Sequence, residues 1–140
     1  MALSYWLMKT EPGAYSFDDL LREQSTEWDG VRNYQARNNM REMSRGDLVL
    51  IYHSIGPKEI VGVARVSNEA HQDSTTDDTR WECVDIEPVT AFKEPVNLAT
   101  IKDDDQLTEI ALVRHSRLSV APLRPAEFKH LLSLGKTKLK

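Results

Sequence analysis

The chain has 140 residues, of which 40% are hydrophobic and 29% are charged, and this composition is typical of one globular domain, here residues 1–140, with a buried core. Its formal net charge of −4 argues against a nonspecific binder of the nucleic-acid backbone. The sequence contains a single cysteine, Cys83, and no pattern of a signal peptide or membrane span, so we expect a cytoplasmic protein without an internal disulfide or a membrane partner.

The first half of the chain predicts two strands and two helices. Residues 4–10 are aromatic and apolar enough for a strand, which a Pro-Gly pair then ends. Ser16, with an acidic residue three positions later, predicts the start of a short helix. The segment 33–43 lacks Gly and Pro and predicts a second helix. Residues 48–54 are strongly apolar and bounded by turn residues, which indicates a buried strand.

The second half predicts, in chain order, a strand at 60–66, a solvated polar loop at 71–79, a strand at 81–89, short helices within 95–112, a strand at 118–121 and a helix at 125–135. No helix separates the strands between residues 48 and 92, which favours an antiparallel sheet. Small apolar sheets avoid open edges by curling into barrels. The predicted fold class is therefore α+β, with a curled sheet and short flanking helices.

No catalytic or metal-binding motif is evident along the chain. The four histidines are far apart and have no neighbouring cysteine at zinc-site spacing, so the sequence predicts no metal site. Glycine is scarce, and no phosphate-binding loop is present. Cys83 is interpreted as a small strand residue, although a role as nucleophile is conceivable in principle.

The segment WDGVRNYQARNNM, residues 28–40, combines aromatic rings, amides and guanidinium groups. A nucleobase needs a flat face for stacking and polar groups that contact its edge. Arginine side chains nearby bind phosphate through two hydrogen bonds at once. The alternative interpretation is a core tryptophan followed by a polar helix surface, and composition alone leaves both open.

Positive charge is concentrated in two segments of this acidic chain. Residues 114–140 contain seven Lys or Arg and a single acid, and residues 28–45 contain four Arg and two acids. If the fold brings these segments together, they form a local surface that attracts anions. The alternative is that each segment is simply a solvated charged surface.

Five motifs are distributed over nearly the whole chain: YWLMKTEP, WDGVRNYQARNNM, GDLVLIYHS, IVGVARV and RHSRLSV. They resemble the EVE domain family, which is related to thymocyte nuclear protein 1 and to small bacterial single-domain homologues. The resemblance implies a PUA-like fold, a curled antiparallel or mixed barrel flanked by short helices and akin to YTH and ASCH domains. It also implies a non-catalytic reader of modified, flipped bases in DNA or RNA that needs no cofactor. Separately, we expect the protein to be a monomer.

The resemblance also implies two sets of site residues. The residues expected to form the base-binding pocket are Thr10, Trp28, Asn33, Tyr34, Tyr52, His53, Ser54 and Ser116. The residues expected to contact phosphate or the backbone are Lys9, Arg32, Arg37 and Arg117. His115 stands where glutamine is common in the family, which changes the hydrogen bonds available at that position.

Two other functions are compatible with the sequence. An enzyme acting on a modified nucleotide or base would need an acid–base pair, for which Lys9, Asp29 and His53 are the candidates. A protein-interaction domain would instead use the segment 28–45 to contact a partner chain. Formation of a product from modified nucleosides would support the enzyme. Retrieval of one protein from a lysate after nuclease treatment would support the protein-interaction domain.

Overall fold

A computed structural model describes residues 3–139 of the chain. Within them, the strands are β1 (Tyr5–Thr10), β2 (Thr26–Glu27), β3 (Leu48–His53), β4 (Glu59–Gln72), β5 (Glu82–Asn97) and β6 (Val120–Leu123). The helices are α1 (Phe17–Glu23), α2 (Tyr34–Arg41), α3 (Leu98–Lys102), α4 (Ala111–Arg114) and α5 (Pro125–Leu134), with a short 3-10 turn at Asp105–Leu107. The fold is therefore α+β, as predicted.

The six strands form one mixed sheet in the order β2-β5-β4-β3-β1-β6. The predicted antiparallel run is confirmed for β3, β4 and β5. Strand β1 pairs with β3 in parallel, because α1, β2 and α2 form the crossover between them. Among residues 3–139 no pairing joins β2 to β6, so the sheet has an open order and the predicted closure into a barrel is not confirmed.

Both faces of the sheet are buried, which explains the apolar runs in its central strands. On β1, Trp6 and Met8 belong to one core cluster, whereas Leu7 between them belongs to the other. The first cluster is covered by α1 and α2, and the second by α3, α4 and α5. Which face a residue serves is thus set by whether its position in the strand is odd or even.

Strands β4 and β5 are much longer than the sequence predicted, with 14 and 16 residues. Their pairing shifts register at several points, and one of these shifts adjoins Pro88, which a regular strand interior accommodates poorly. The end of β4 extends into the segment predicted as a loop. Among residues 3–139, no α-helix has both the length and the apolar composition of a transmembrane segment.

Position 62 on β4 requires glycine, because the strand passes very close to the first residue of α1. A Cβ atom at Gly62 would overlap the ring of Phe17 at the start of α1. We expect Gly62→Ala to lower the free energy of unfolding by about 1–3 kcal/mol, because either the ring or the strand must move. Urea denaturation measures this loss. Gly13→Ala is the matched control, since a Cβ there meets no atom within 4 Å, and an equal loss in both variants would contradict the overlap.

Candidate functional site

A cleft of about 630 Å³ opens beside the loop that connects β2 to α2. This volume lies within the range of small-ligand sites. The residues that line it come from the end of β1, the segment before α1, the loop itself and the start of β6: Lys9, Thr10, Ala14, Tyr15, Thr26, Glu27, Trp28, Asp29, Gly30, Val31, Arg32, Asn33 and Ser119. Five of the predicted site residues, Lys9, Thr10, Trp28, Arg32 and Asn33, are therefore brought together.

Trp28 provides the large flat side chain in the cleft lining. Its backbone N–H donates to the carbonyl of Val84 on β5 at 2.9 Å, and its ring forms a T-shaped contact with the Tyr15 ring, with the ring centroids 6.2 Å apart. Only 8% of Trp28 is exposed. The indole is thus part of the core, as one of the two interpretations predicted, and it also forms part of the cleft wall.

Asn33 is the N-cap of α2. Its Oδ1 accepts the backbone N–H of Ala36 at 2.8 Å, which satisfies one of the free amide groups at the helix start. The cap fixes the side chain and leaves its NH2 group as a donor at the cleft. The residue is solvent-exposed, so this donor remains accessible to a ligand.

Burial in the cleft shifts the pKa values of two of its charged side chains. Lys9 donates to the carbonyl of Ser116 at 2.8 Å, and burial lowers the pKa of its amine. Burial, followed by the neighbouring Asp73 and Glu27 carboxylates, raises the pKa of Asp29. Both shifts move the group toward its neutral form, as expected in a partly desolvated cleft.

Asp73, from the segment predicted as a solvated loop, is 1% exposed, which corrects that prediction. Its carboxylate accepts from the backbone N–H of Gly30 at 2.8 Å and from the Arg32 guanidinium at 3.0 Å. It also accepts from the backbone N–H of Thr75 at 2.8 Å and from the Thr75 hydroxyl. Burial acts to raise the pKa of Asp73, but these hydrogen bonds outweigh it and hold the pKa well below its usual range. Asp73 therefore holds the loop that follows β2 and begins with Trp28 in place through its hydrogen bonds to Gly30 and Arg32.

Tyr34 does not line the cleft, contrary to the prediction. Its ring stacks on Trp81 with a centroid separation of 5.0 Å, and the guanidinium of Arg37 lies 4.9 Å from the Tyr34 ring. Arg32 lies over Trp81 at 5.4 Å, and Arg80 donates to the Tyr34 hydroxyl. We call these five residues the aromatic–guanidinium surface. Tyr34 is half exposed. One face of its ring covers the ring of Trp81, which is buried.

The three predicted residues at the end of β3 also lie outside the cleft. Tyr52 is 3% exposed and belongs to the core cluster on the opposite face of the sheet. His53 accepts the backbone N–H of Phe17 through Nε2 at 3.1 Å, and burial lowers its pKa. The Ser54 hydroxyl donates to the carbonyl of Thr10 at 3.3 Å. All three are corrected from ligand-binding to structural positions, because they secure β3 and the adjoining segments.

Ser116 and Arg117 lie in a second depression of about 700 Å³, which adjoins the cleft at Asn33. We call it the flanking depression, and it is lined by Asn33, Gln35, Asn39, His115, Ser116, Arg117, Leu118 and Pro122. Asn39 holds α2 to β6 by donating to the carbonyl of Val120 at 2.7 Å. The two basic segments identified in the sequence thus meet here, although not inside the cleft.

Three residues of this region were missed by the sequence analysis as site residues. Tyr15 supports Trp28, Asp29 lines the cleft and was considered only as an acid–base candidate, and Asp73 organises the loop. The position of Asp29 directly after Trp28 was a usable signal. Nothing in the local sequence indicates Asp73, because its partners are 41 and 43 residues away.

The sequence matches the family described as EVE domain over residues 4–134. Human thymocyte nuclear protein 1 is 36% identical over 166 aligned residues, which cover 94% of this chain and 73% of that protein. The crystal structure of Atu2648 from Agrobacterium tumefaciens is 41% identical with a TM-score of 0.92, covering 96% and 94% of the two chains. Human THYN1 in complex with DNA containing 5-methylcytosine is 34% identical with a TM-score of 0.89, covering 97% and 99%.

A more distant similarity concerns the fold alone. The YTH domain of the MRB1 protein of Zygosaccharomyces rouxii, solved in complex with N6-methyladenosine RNA, has a TM-score of 0.61 at 12% identity. The alignment covers 100% of this chain and 93% of that one. The arrangement of the six-stranded sheet and its short helices is therefore similar to that of YTH domains.

Proposed function

The chain belongs to the EVE domain family, and from that premise we propose that it is a non-catalytic nucleic-acid-binding module. Its ligand is a single modified base, flipped out of DNA or RNA and held in the cleft beside Trp28. The observation that carries this proposal is the indole of Trp28, which is 8% exposed and lines a cleft that Asn33 and Asp29 also line. A family member solved with 5-methylcytosine DNA supports the class of ligand.

The polar groups of the cleft suit the edge of a base. The NH2 group of Asn33 is free to donate to a ring nitrogen or carbonyl, because its oxygen is used by the helix cap. The Asp29 carboxylate can accept from an exocyclic amino group, as acidic side chains do with cytosine. Thr10 donates its hydroxyl proton to the carbonyl of Tyr15, so toward a ligand its oxygen acts as an acceptor.

Charge contributes less than stacking in this proposal. Lys9 and Arg32 in the cleft lining are matched by Glu27 and Asp29, so the site holds no large excess of positive charge. A strong backbone binder that makes about 6–10 phosphate contacts loses three to five orders of magnitude in affinity as salt rises. We expect a much smaller salt dependence here and a correspondingly larger effect of base identity.

The direct test is a binding screen. Fluorescence anisotropy is measured with matched DNA and RNA oligonucleotides that differ only in one base, carrying cytosine, 5-methylcytosine, adenine, N6-methyladenine or another common modification. The proposal requires at least one modified base to bind more tightly than its unmodified parent. Equal affinity for every oligonucleotide in both series would contradict it.

Arg37 is expected to act through its charge alone. Its guanidinium lies over the Tyr34 ring and donates to the Asn38 side chain and the carbonyl of Arg80, and it forms no salt bridge within residues 3–139. We expect Arg37→Ala to weaken binding of all oligonucleotides alike and to reduce the salt slope by about 1. Titrations at several salt concentrations measure both. Arg65→Ala is the control, because Arg65 lies on β4 outside the aromatic–guanidinium surface and pairs with Glu87. An unchanged slope in Arg37→Ala would contradict a phosphate contact.

One observation favours a second function, an enzyme acting on a modified nucleotide or base. Lys9 and Asp29 share the cleft, and both have pKa values shifted toward the neutral form, as acid–base catalysts often do. His53 is less suited, because its Nε2 already accepts from Phe17. Chromatographic analysis of a panel of modified nucleosides tests this function. Product that is lost with Asp29→Asn supports it, whereas binding without turnover supports the reader.

A further inference from the structure

Four side chains with metal-binding chemistry meet where β2, β5 and β4 lie side by side. Glu27 on β2 is paired with Asp85 on β5, and His71 on β4 is paired with Cys83 on β5. Paired residues, and residues two apart on one strand, point to the same face of a sheet. The ligand atoms of Glu27, His71 and Cys83 consequently all lie within 4.8 Å of one another.

The cluster already has the outer contacts that metal sites need. The Nε2 of His71 lies 2.8 Å from a carboxylate oxygen of Asp85, the arrangement that orients a ligating imidazole. Nδ1 is then the ligand atom, and it lies 4.0 Å from Oε2 of Glu27 and 3.0 Å from the carbonyl of Gln72. The other oxygen of Glu27 accepts two hydrogen bonds from Ser74, at 3.0 and 2.6 Å.

We propose that Glu27, His71 and Cys83 bind a single zinc ion, with water as the fourth ligand. One sulfur, one nitrogen and one oxygen donor suit this borderline-soft ion, and three protein ligands with one open position are a common zinc arrangement. Zinc–ligand distances of about 2.0–2.3 Å place tetrahedral ligand atoms roughly 3.3–3.7 Å apart. The observed separations, which reach up to 4.8 Å, must shorten by about 1 Å to fit that geometry, and Nδ1 of His71 must give up its contact with the carbonyl of Gln72.

The cluster is rich in negative charge, because the carboxylates of Glu27 and Asp85 both lie beside His71, and a bound cation would offset that charge. Zinc binding would release the thiol proton of Cys83 and any proton on Nδ1 of His71 to solvent. The ion has a path of entry, because the side chains of His71 and Glu27 are 37% and 22% exposed, although Cys83 is buried.

Zinc at this position would join three strands. Strand β2 has only two residues, and it leads directly into Trp28. A metal ligand on β2 would fix it to β4 and β5 and so stabilise one wall of the cleft. The sequence spacing predicted no metal site because the three ligands are 27, 71 and 83 residues along the chain and only strand pairing brings them together.

The test uses the reduced, chelator-treated full chain without an affinity tag. Zinc is titrated by calorimetry, and cobalt is used as a spectroscopic probe of thiolate coordination. We expect one zinc per chain, a sulfur-to-cobalt charge-transfer band, and a rise in Tm with zinc. Cys83→Ser should abolish the band, and both it and His71→Ala should weaken zinc binding at least about 100-fold. Asp85→Asn should weaken it about 10–100-fold.

His115→Ala is the control, because His115 is an exposed histidine in the flanking depression, away from the cluster. We expect this variant to bind zinc with the affinity of the parent. If Cys83→Ser fails to fold, Glu27→Gln replaces it, since this ligand is partly exposed and its loss should also weaken zinc binding. The proposal is overturned if the parent shows no one-to-one zinc binding. It is equally overturned if the Cys83 and His71 variants keep the parent's affinity and cobalt spectrum.

Discussion

Trp28→Ala is expected to weaken binding of the preferred modified oligonucleotide by about 5–150-fold, which corresponds to the roughly 1–3 kcal/mol that stacking contributes per base. The indole is the largest flat surface in the cleft lining, so its loss removes the stacking partner of the base. Fluorescence anisotropy with matched modified and unmodified oligonucleotides measures the change. The difference between the two oligonucleotides should shrink along with the affinity.

The same substitution also affects folding, because Trp28 is only 8% exposed and contacts Tyr15. Truncating a buried tryptophan costs about 3–5 kcal/mol, a large part of the stability of a typical domain. Urea denaturation must therefore accompany each binding measurement, at a temperature where the variant is folded. Trp28→Phe keeps part of the ring and should show an intermediate loss of affinity with better stability.

Trp6→Phe is the matched control for packing. Trp6 is 5% exposed in the same core cluster and donates its indole N–H to Asp47 at 3.0 Å, but it does not line the cleft. We expect this variant to be less stable than the parent while its affinity is unchanged. If both Trp28 variants bind as tightly as the parent while folded, the base does not stack on Trp28.

The elements that the sequence predicted well are those with strong local signals. Strand β1 ends before a Pro-Gly pair, and α1 begins at Ser16, whose side chain and that of Asp19 form a capping box. The lengths of β4 and β5 were underestimated, because polar residues such as His71 in β4 and Glu94 in β5 lie on the parts that were missed, and polar segments look like loops when read locally. Strand β2 has two residues, too few for any periodic pattern.

The position of a predicted site residue could be anticipated where its side-chain direction follows from local structure, and could not where it depends on the sheet or on a distant partner. Asn33 is placed by its role as helix cap, which the residue type suggests. Tyr52 is placed by alternation along β3, and the neighbouring Ile51 faces the cluster that contains Trp28 whereas Tyr52 faces the other. Tyr34 is placed by a stacking partner 47 residues away, Trp81, which no local pattern specifies.

Asp73→Asn is expected to lower the free energy of unfolding by about 2–4 kcal/mol near pH 7. The buried carboxylate accepts hydrogen bonds from Gly30, Arg32 and Thr75. An amide offers one acceptor in place of two and leaves a donor facing the guanidinium. Because the loop 28–33 is tied to the protein through this carboxylate, affinity for the modified oligonucleotide should fall as well.

The pH dependence distinguishes a charged contact from a packing effect. The pKa of Asp73 is lower in the folded state than in the unfolded state, so its stabilisation is complete above the unfolded value of about 3.9. It is lost progressively as the pH falls below that value toward the folded pKa. The gap in stability between the parent and Asp73→Asn should therefore be widest at neutral pH and should narrow below about pH 4.

Comparing the two proteins at each pH isolates this residue, because Asp19, Asp78 and Asp104, whose pKa values are also lowered, titrate in both. Urea denaturation from neutral pH down to about pH 3 measures the gap. Asp77→Asn is the matched control, since Asp77 is exposed in the same loop and should leave stability unchanged. A gap that stays constant down to pH 3 would mean that Asp73 acts by its shape and not by its charge, and that the loop carrying Trp28 is held in another way.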